Sequence, residues 1–160
     1  DVLYGVREYR NSKMTPAQHA VTLRQWGSYL PWMWPHDGMQ HDKGSGDQLA
    51  AQYKANQLSM HPSHVTFPDG SIGVEAGVLD MLTRMNEGRL KVFSTCPMWF
   101  NEFSLYHRKD GEIVKLNDDL ISASRYGMMG RRFAKVPSRR RIAGRDFKGI
   151  TAIGTGEVSL

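Results

Sequence analysis

The feature that most constrains this chain is a repeated alternation. Short strand-like stretches, several apolar and bounded by Pro or Gly, take turns with longer segments of helical period. Val2–Arg10 reads as a strand. Thr15 is placed to cap a helix with Pro16 at its first position, and Ala17–Tyr29 follows helically. Pro31–Pro35, Leu58–His61 and Arg89–Phe93 read as further strands. Helices are expected from Asp47 to about Gln57, from Ser71 to about Asn86, over Pro97–His107, and from Asp118 to about Ala134. Val74, Val78, Leu82 and Met85 are spaced to share one face of the second of these. Gly88 is its stop, and Lys109–Glu112 is a turn. Strands alternating with helices imply an α/β layer fold with a largely parallel sheet. Such sheets collect their chemistry at the carboxyl ends of the strands.

A chain of 160 residues is long enough for one domain with its own core. A hydrophobic fraction of 40% excludes a disordered chain. No apolar run reaches membrane-span length, and Asp1–Tyr4 does not open a secretion signal. A single cysteine, Cys96, forms no internal disulfide and suits a reducing compartment. The net charge of +5 is concentrated at one end. Residues 131–160 hold eight Lys or Arg against two acids, so the rest of the chain is near neutrality at −1. A basic segment of this kind attracts polyanions without reading sequence. With Pro137 and four glycines it reads as an irregular tail over 135–160, beyond a folded unit at 1–134.

The chemistry concentrates in Asn117-Asp118-Asp119-Leu120-Ile121-Ser122-Ala123-Ser124-Arg125-Tyr126. Adjacent carboxylates repel, so a fold keeps Asp118 and Asp119 together only in water or beside a cation. One reading is an acidic helix N-cap, favoured by the helix dipole. The other is a divalent-metal site, for which Asp37 supplies a further acid just beyond the strand Pro31–Pro35. Mg²⁺ is usually held by one or two carboxylates with water and substrate phosphate. His36, His41 and Asp42 surround Asp37 at spacings that fit no common zinc pattern. No P-loop motif is present, and no Ser-His-Asp or Cys-His nucleophile is readable. Lys43 and Arg139-Arg140-Arg141 are candidate phosphate contacts, against the commoner reading of solvated charge.

Trp34-Pro35-His36-Asp37-Gly38, Asp42–Ala50, Phe100–Gly111 and Asn117–Tyr126 together resemble the nuclease domain of the large terminase subunits of tailed bacteriophages and prophages. The resemblance covers about residues 1–134. It implies an RNase H-like fold, a mixed sheet flanked by helices. It also implies a two-metal endonuclease, using Mg²⁺ or Mn²⁺, that cuts concatemeric double-stranded DNA during genome packaging in the bacterial host cytoplasm. Asp37 matches the family's second acidic position. Asp118 and Asp119 match the third, with Asp119 preferred as ligand; many relatives carry another Asp where this chain has Ser122. The family's first catalytic Asp lies on a strand ahead of Val2–Arg10, so the first two strands are expected to be lacking, and cleavage by this chain alone is expected to be weak. The implied partners are an upstream ATPase domain, the small terminase subunit and the portal protein. Alternatives from other classes are a noncatalytic DNA-binding or portal-docking module working through the basic tail, and another RNase H-like enzyme such as a resolvase.

Overall fold

The computed structural model describes residues 1–41 and 45–134. Lys43 and Arg139, Arg140 and Arg141, together with Asp42 and the whole tail 135–160, lie outside the described residues.

One half of the fold is built on a parallel pair of strands. β1 (Leu3–Gly5) runs beside β4 (Leu90–Val92), with Leu3 opposite Leu90 and Gly5 opposite Val92. Three helices cover this pair: α3 (Val74–Asn86), α4 (Pro97–Leu105) and α5 (Asp119–Met129). Met81, Cys96, Trp99, Leu120, Ile121 and Met128 form the core between them. Trp99 locks α4 to α5, because its indole N–H donates to Ser124 Oγ at 2.8 Å while its ring stacks on Phe103. α3 ends in a Schellman motif: Gly88 takes φ +67°, Gly88 N–H donates to Met85 O, and Arg89 N–H donates to Arg84 O. Cys96 is buried, and burial holds its thiol pKa above the ordinary value.

The other half carries α1 (Pro16–Arg24), β2 (Pro31–Trp32), a 3-10 turn (His36–Met39), α2 (Leu49–Ala55) and β3 (Ser59–Met60). α1 opens with a capping box: Gln18 N–H donates to Thr15 Oγ1, and Thr15 N–H donates to Gln18 Oε1. β2 and β3 pair in parallel, and Val65 N–H donating to Trp34 O continues the contact past the ladder. The halves meet where a second 3-10 turn, Gly130–Phe133, follows α5. A Cβ at Gly130 would stand 2.6 Å from Met33 Cγ, so a larger residue there would force the Met33 side chain to shift.

A third strand pair is the hairpin β5 (Arg108–Lys109) and β6 (Glu112–Ile113). Asp110 and Gly111 both take positive φ at its tip, as a two-residue primed turn requires. Arg108 grips Glu75 of α3 with two nitrogens and so ties the hairpin to the body. This ion pair and hydrogen bond depress the Glu75 pKa below its ordinary value of 4.5.

The elements expected from sequence are present, with two differences of substance. The ladders are short, and the strands form three two-stranded sheets in place of one continuous sheet. β1 stops at Gly5, and residues 6–10 are held by side chains instead. β1 and β2, between which the resemblance places two further strands, belong to separate sheets. On α3, Leu82 is 50% exposed, while Gly77, Met81 and Arg84 take the buried positions. Arg84 turns inward because Asp80, one helical turn earlier, accepts its Nε–H at 3.2 Å and also holds Arg131 of the second 3-10 turn at 2.9 Å.

The Arg125 side chain of α5 packs over Gly77 of α3: a Cβ there would lie 2.4 Å from Cδ of Arg125, itself only 4% exposed. Alanine would gain about 1 kcal/mol of helix propensity. Overpacking against a side chain with no room to retreat costs about 1–3 kcal/mol. Gly77→Ala is therefore expected to lower stability in urea unfolding. A second expectation concerns pH. A carboxylate with a depressed folded pKa adds stability that is present above its unfolded pKa and lost as pH falls through the folded value. The melting-temperature gap between wild type and Glu75→Gln should thus be present at neutral pH and close on acidification below about pH 4.

Candidate active site

α5 begins in an unusual way. Asn117 takes the left-handed conformation at φ +53°, and Asp118 occupies the N-cap position, but its carboxylate makes no capping bond. The free amides of the first turn are satisfied from elsewhere. Glu102, at the buried face of α4 and 1% exposed, accepts Leu120 N–H at 2.7 Å and Ile121 N–H at 3.2 Å through Oε2. These are the donors an N-cap side chain normally serves. The acidic-cap reading of Asp118 and Asp119 therefore loses its role to Glu102. Asp118 Oδ2 instead accepts the Ser122 hydroxyl at 3.1 Å, and the Asp119 side chain is 71% exposed.

Glu102 is in turn neutralised by Arg10, whose Nη1 donates to Oε1 at 2.6 Å. Arg10 Nε lies 3.6 Å from Asp119 Oδ2, so one guanidinium spans the buried and the exposed acid. The Glu102 hydrogen bond, aided by the charges of Glu102 and Asp119, raises the Arg10 pKa against the opposing effect of burial. The segment that carries Arg10 is anchored by Glu8, which accepts Met98 N–H at 3.0 Å and Trp99 N–H at 2.8 Å and so caps α4. Tyr106 stands close to this end of α5: burial first, then the charge of Asp118, pushes its hydroxyl pKa upward, with Arg125 opposing. The Arg125 guanidinium lies 4.3 Å over the Tyr126 ring.

Asp37 sits in the first 3-10 turn just past β2, exposed, at the rim of an apolar cavity of about 290 Å³. Trp32, Trp34, Tyr53, Leu58 and Met60 line that cavity. Its place beyond the carboxyl end of a strand is the expected one. Among the described residues, no three His, Cys, Asp or Glu side chains group closely enough to hold a metal ion. Asp118 and Asp119 thus share one helical turn, and the structure does not draw Asp37 into a cluster with them. His36 packs edge-on against His64, and His41 Nδ1 is 2.6 Å from Gly46 O, the loop role expected for it. The hard oxygen donors of Asp118 and Asp119, one of them open to solvent, fit Mg²⁺ or Mn²⁺ bound with water and phosphate. Buried Cys96 and the dispersed histidines fit no zinc site.

Glu8, Arg10, Glu102 and Tyr106 escaped the reading of the sequence. Glu102 alone left a trace, as a carboxylate three residues after Trp99 on the face of α4 that faces the core.

Residues 1–131 match the terminase RNaseH-like domain family, and the chain belongs to it. The motif resemblance and the fold therefore agree. Over 137 residues the chain is 49% identical to the large terminase subunit of Salmonella phage P22, covering 85% of this chain and 28% of that protein. It is 48% identical over 132 residues to the large terminase subunit of Enterobacteria phage LP7, covering 82% of this chain and again 28% of the relative. The chain thus spans a little over a quarter of the length of these relatives. The solved structure of the P22 large terminase nuclease domain superimposes with a TM-score of 0.77 at 49% identity, over 84% of this chain and 70% of that one.

Removing the Glu102 carboxylate should free the start of α5. Glu102→Ala is expected to cost about 2–4 kcal/mol, combining a lost cap with a lost charged hydrogen bond. Hydrogen exchange should localise the effect, with the Leu120 and Ile121 amides losing protection before those at the centre of α5.

Proposed function

We propose that this chain is the catalytic nuclease unit of a phage DNA-packaging terminase, a divalent-metal-dependent endonuclease acting on double-stranded DNA. The observation that carries this reading is the transferred cap. Glu102 satisfies the α5 amides, so Asp118 and Asp119 are not spent on capping the helix: Asp118 holds the Ser122 hydroxyl, and Asp119 stands 71% exposed beside Arg10. Two adjacent carboxylates freed from capping suit a cation-binding role.

In this reading Asp119 is the principal metal ligand and Asp118 supports it at the same helical turn; Asp37, beyond the end of β2 and not clustered with them, is the further acid that the family motif assigns to the site. Bound Mg²⁺ or Mn²⁺ would supply an activated water and charge stabilisation for the leaving 3′ oxygen. The chain's own residues do the rest. Glu102 and Glu8 fix the two helices that carry the site, and Ser122 orients Asp118. Lys43 and Arg139–Arg141 hold the DNA backbone by charge, without reading bases. No helix among the described residues is long and apolar enough to cross a membrane. An ATPase domain, the small terminase subunit and the portal protein are the partners proposed for packaging in the host cytoplasm.

Plasmid nicking with Mn²⁺ tests the assignment. Nicking, however slow, should stop on chelation. It should fall on the order of 100-fold or more in Asp119→Asn, the loss expected when a metal ligand is removed. The same substitution should abolish the Mn²⁺-dependent rise in melting temperature. Nicking and metal stabilisation that both persist in Asp119→Asn would falsify the reading.

A further inference from the structure

Arg10 has two acidic partners of different kinds. Glu102 is 1% exposed and bound at 2.6 Å, with its other oxygen occupied by two backbone amides. It cannot leave without uncapping α5. Asp119 is 71% exposed and lies 3.6 Å from Arg10 Nε, beyond good hydrogen-bond distance. The first contact is fixed and the second is exchangeable. The Arg10 side chain is itself 40% exposed, which leaves it room to give up Asp119 while staying on Glu102.

We propose that Arg10 is the resident counter-ion of Asp119 and competes with a divalent cation for this carboxylate. In the metal-free protein its charge offsets the repulsion between Asp118 and Asp119. When the cation arrives, the Arg10–Asp119 contact is exchanged for a metal–Asp119 contact, and Arg10 remains tethered to Glu102. Arg10 thereby sets how readily the acidic end takes up metal. It is a positioning residue that acts through Asp119 and Glu102, and it ligates nothing itself. This inference rests on the metal-site reading of Asp119 given above.

The sign of the effect separates this role from a merely structural one. A structural support, when removed, weakens metal binding along with the fold. A competing cation, when removed, strengthens metal binding even though the fold is weakened. Arg10→Gln keeps a donor for Glu102 but removes the charge. It should lower the melting temperature and bind Mn²⁺ more tightly, on the order of fivefold, the weight of one charge at this distance in a water-like medium. Arg10→Lys keeps the charge and should stay close to the wild-type affinity.

Mn²⁺ affinity is read from the free-ion EPR signal for wild type, Arg10→Gln, Arg10→Lys and Asp119→Asn. In wild type, the Arg10 side-chain Nε–Hε resonance should shift on titration with diamagnetic Mg²⁺ as the Asp119 contact is lost. That arm decides the question if Arg10→Gln does not fold. Unchanged or weaker Mn²⁺ binding in folded Arg10→Gln, equal tightening in Arg10→Lys, or an unmoved Arg10 resonance at saturating Mg²⁺ overturns the proposal alone. Mn²⁺ binding that is absent in wild type, or unaffected by Asp119→Asn, overturns the metal-site reading and this inference with it.

Discussion

A single buried carboxylate organises the functional end of this domain. Glu102 receives the first amides of α5 and the guanidinium of Arg10, so it joins α4, α5 and the segment after β1 at one point. A charge placed at 1% exposure is tolerable only because both of its oxygens are engaged, two of its three partners being helix amides and the third a cation. The start of α5 follows from this. With its amides satisfied from α4, the helix can begin on two acids that do no capping.

The same construction recurs one helix earlier. Glu8 caps α4 from a distant segment, as Glu102 caps α5. In each case a carboxylate from elsewhere in the fold replaces the local Ser, Thr or Asn that usually starts a helix. Cys96 and Asp118, the residues at the two N-cap positions, make no side-chain cap. Helix α1 shows the contrast: it uses a local capping box.

This contrast also explains how far the sequence could be read. Thr15 and Pro16 announce α1, Gly88 announces the end of α3, and Lys109–Glu112 announces a turn, because each signal acts over a few residues. Asp118 and Asp119 were visible as a pair, and Asp37 as an acid beyond a strand, from their immediate surroundings. The caps were not visible. Arg10 and Glu102 are separated by 92 positions, and nothing near either residue points to the other. The buried face of α3 misled for a related reason. Leu82 has the right period for the core, yet Arg84 fills the buried position because Asp80 pairs with it while its other oxygen holds Arg131. Strand length was overestimated where side chains, not ladder bonds, hold the extended segment 6–10.

The borrowed cap has a consequence for when the site exists at all. An isolated α5 of eleven residues is too short to persist in water. Without α4 docked against it, its first turn also lacks an acceptor for its amides. The acidic pair therefore acquires a defined geometry only in molecules where α4, α5 and the strap carrying Glu8 and Arg10 are seated together. Opening of that strap would strip Arg10 from buried Glu102 and Glu8 from the first amides of α4, and so loosen both helices at the acidic end. The placing of the acidic pair then depends on a five-residue segment that contains neither of its acids.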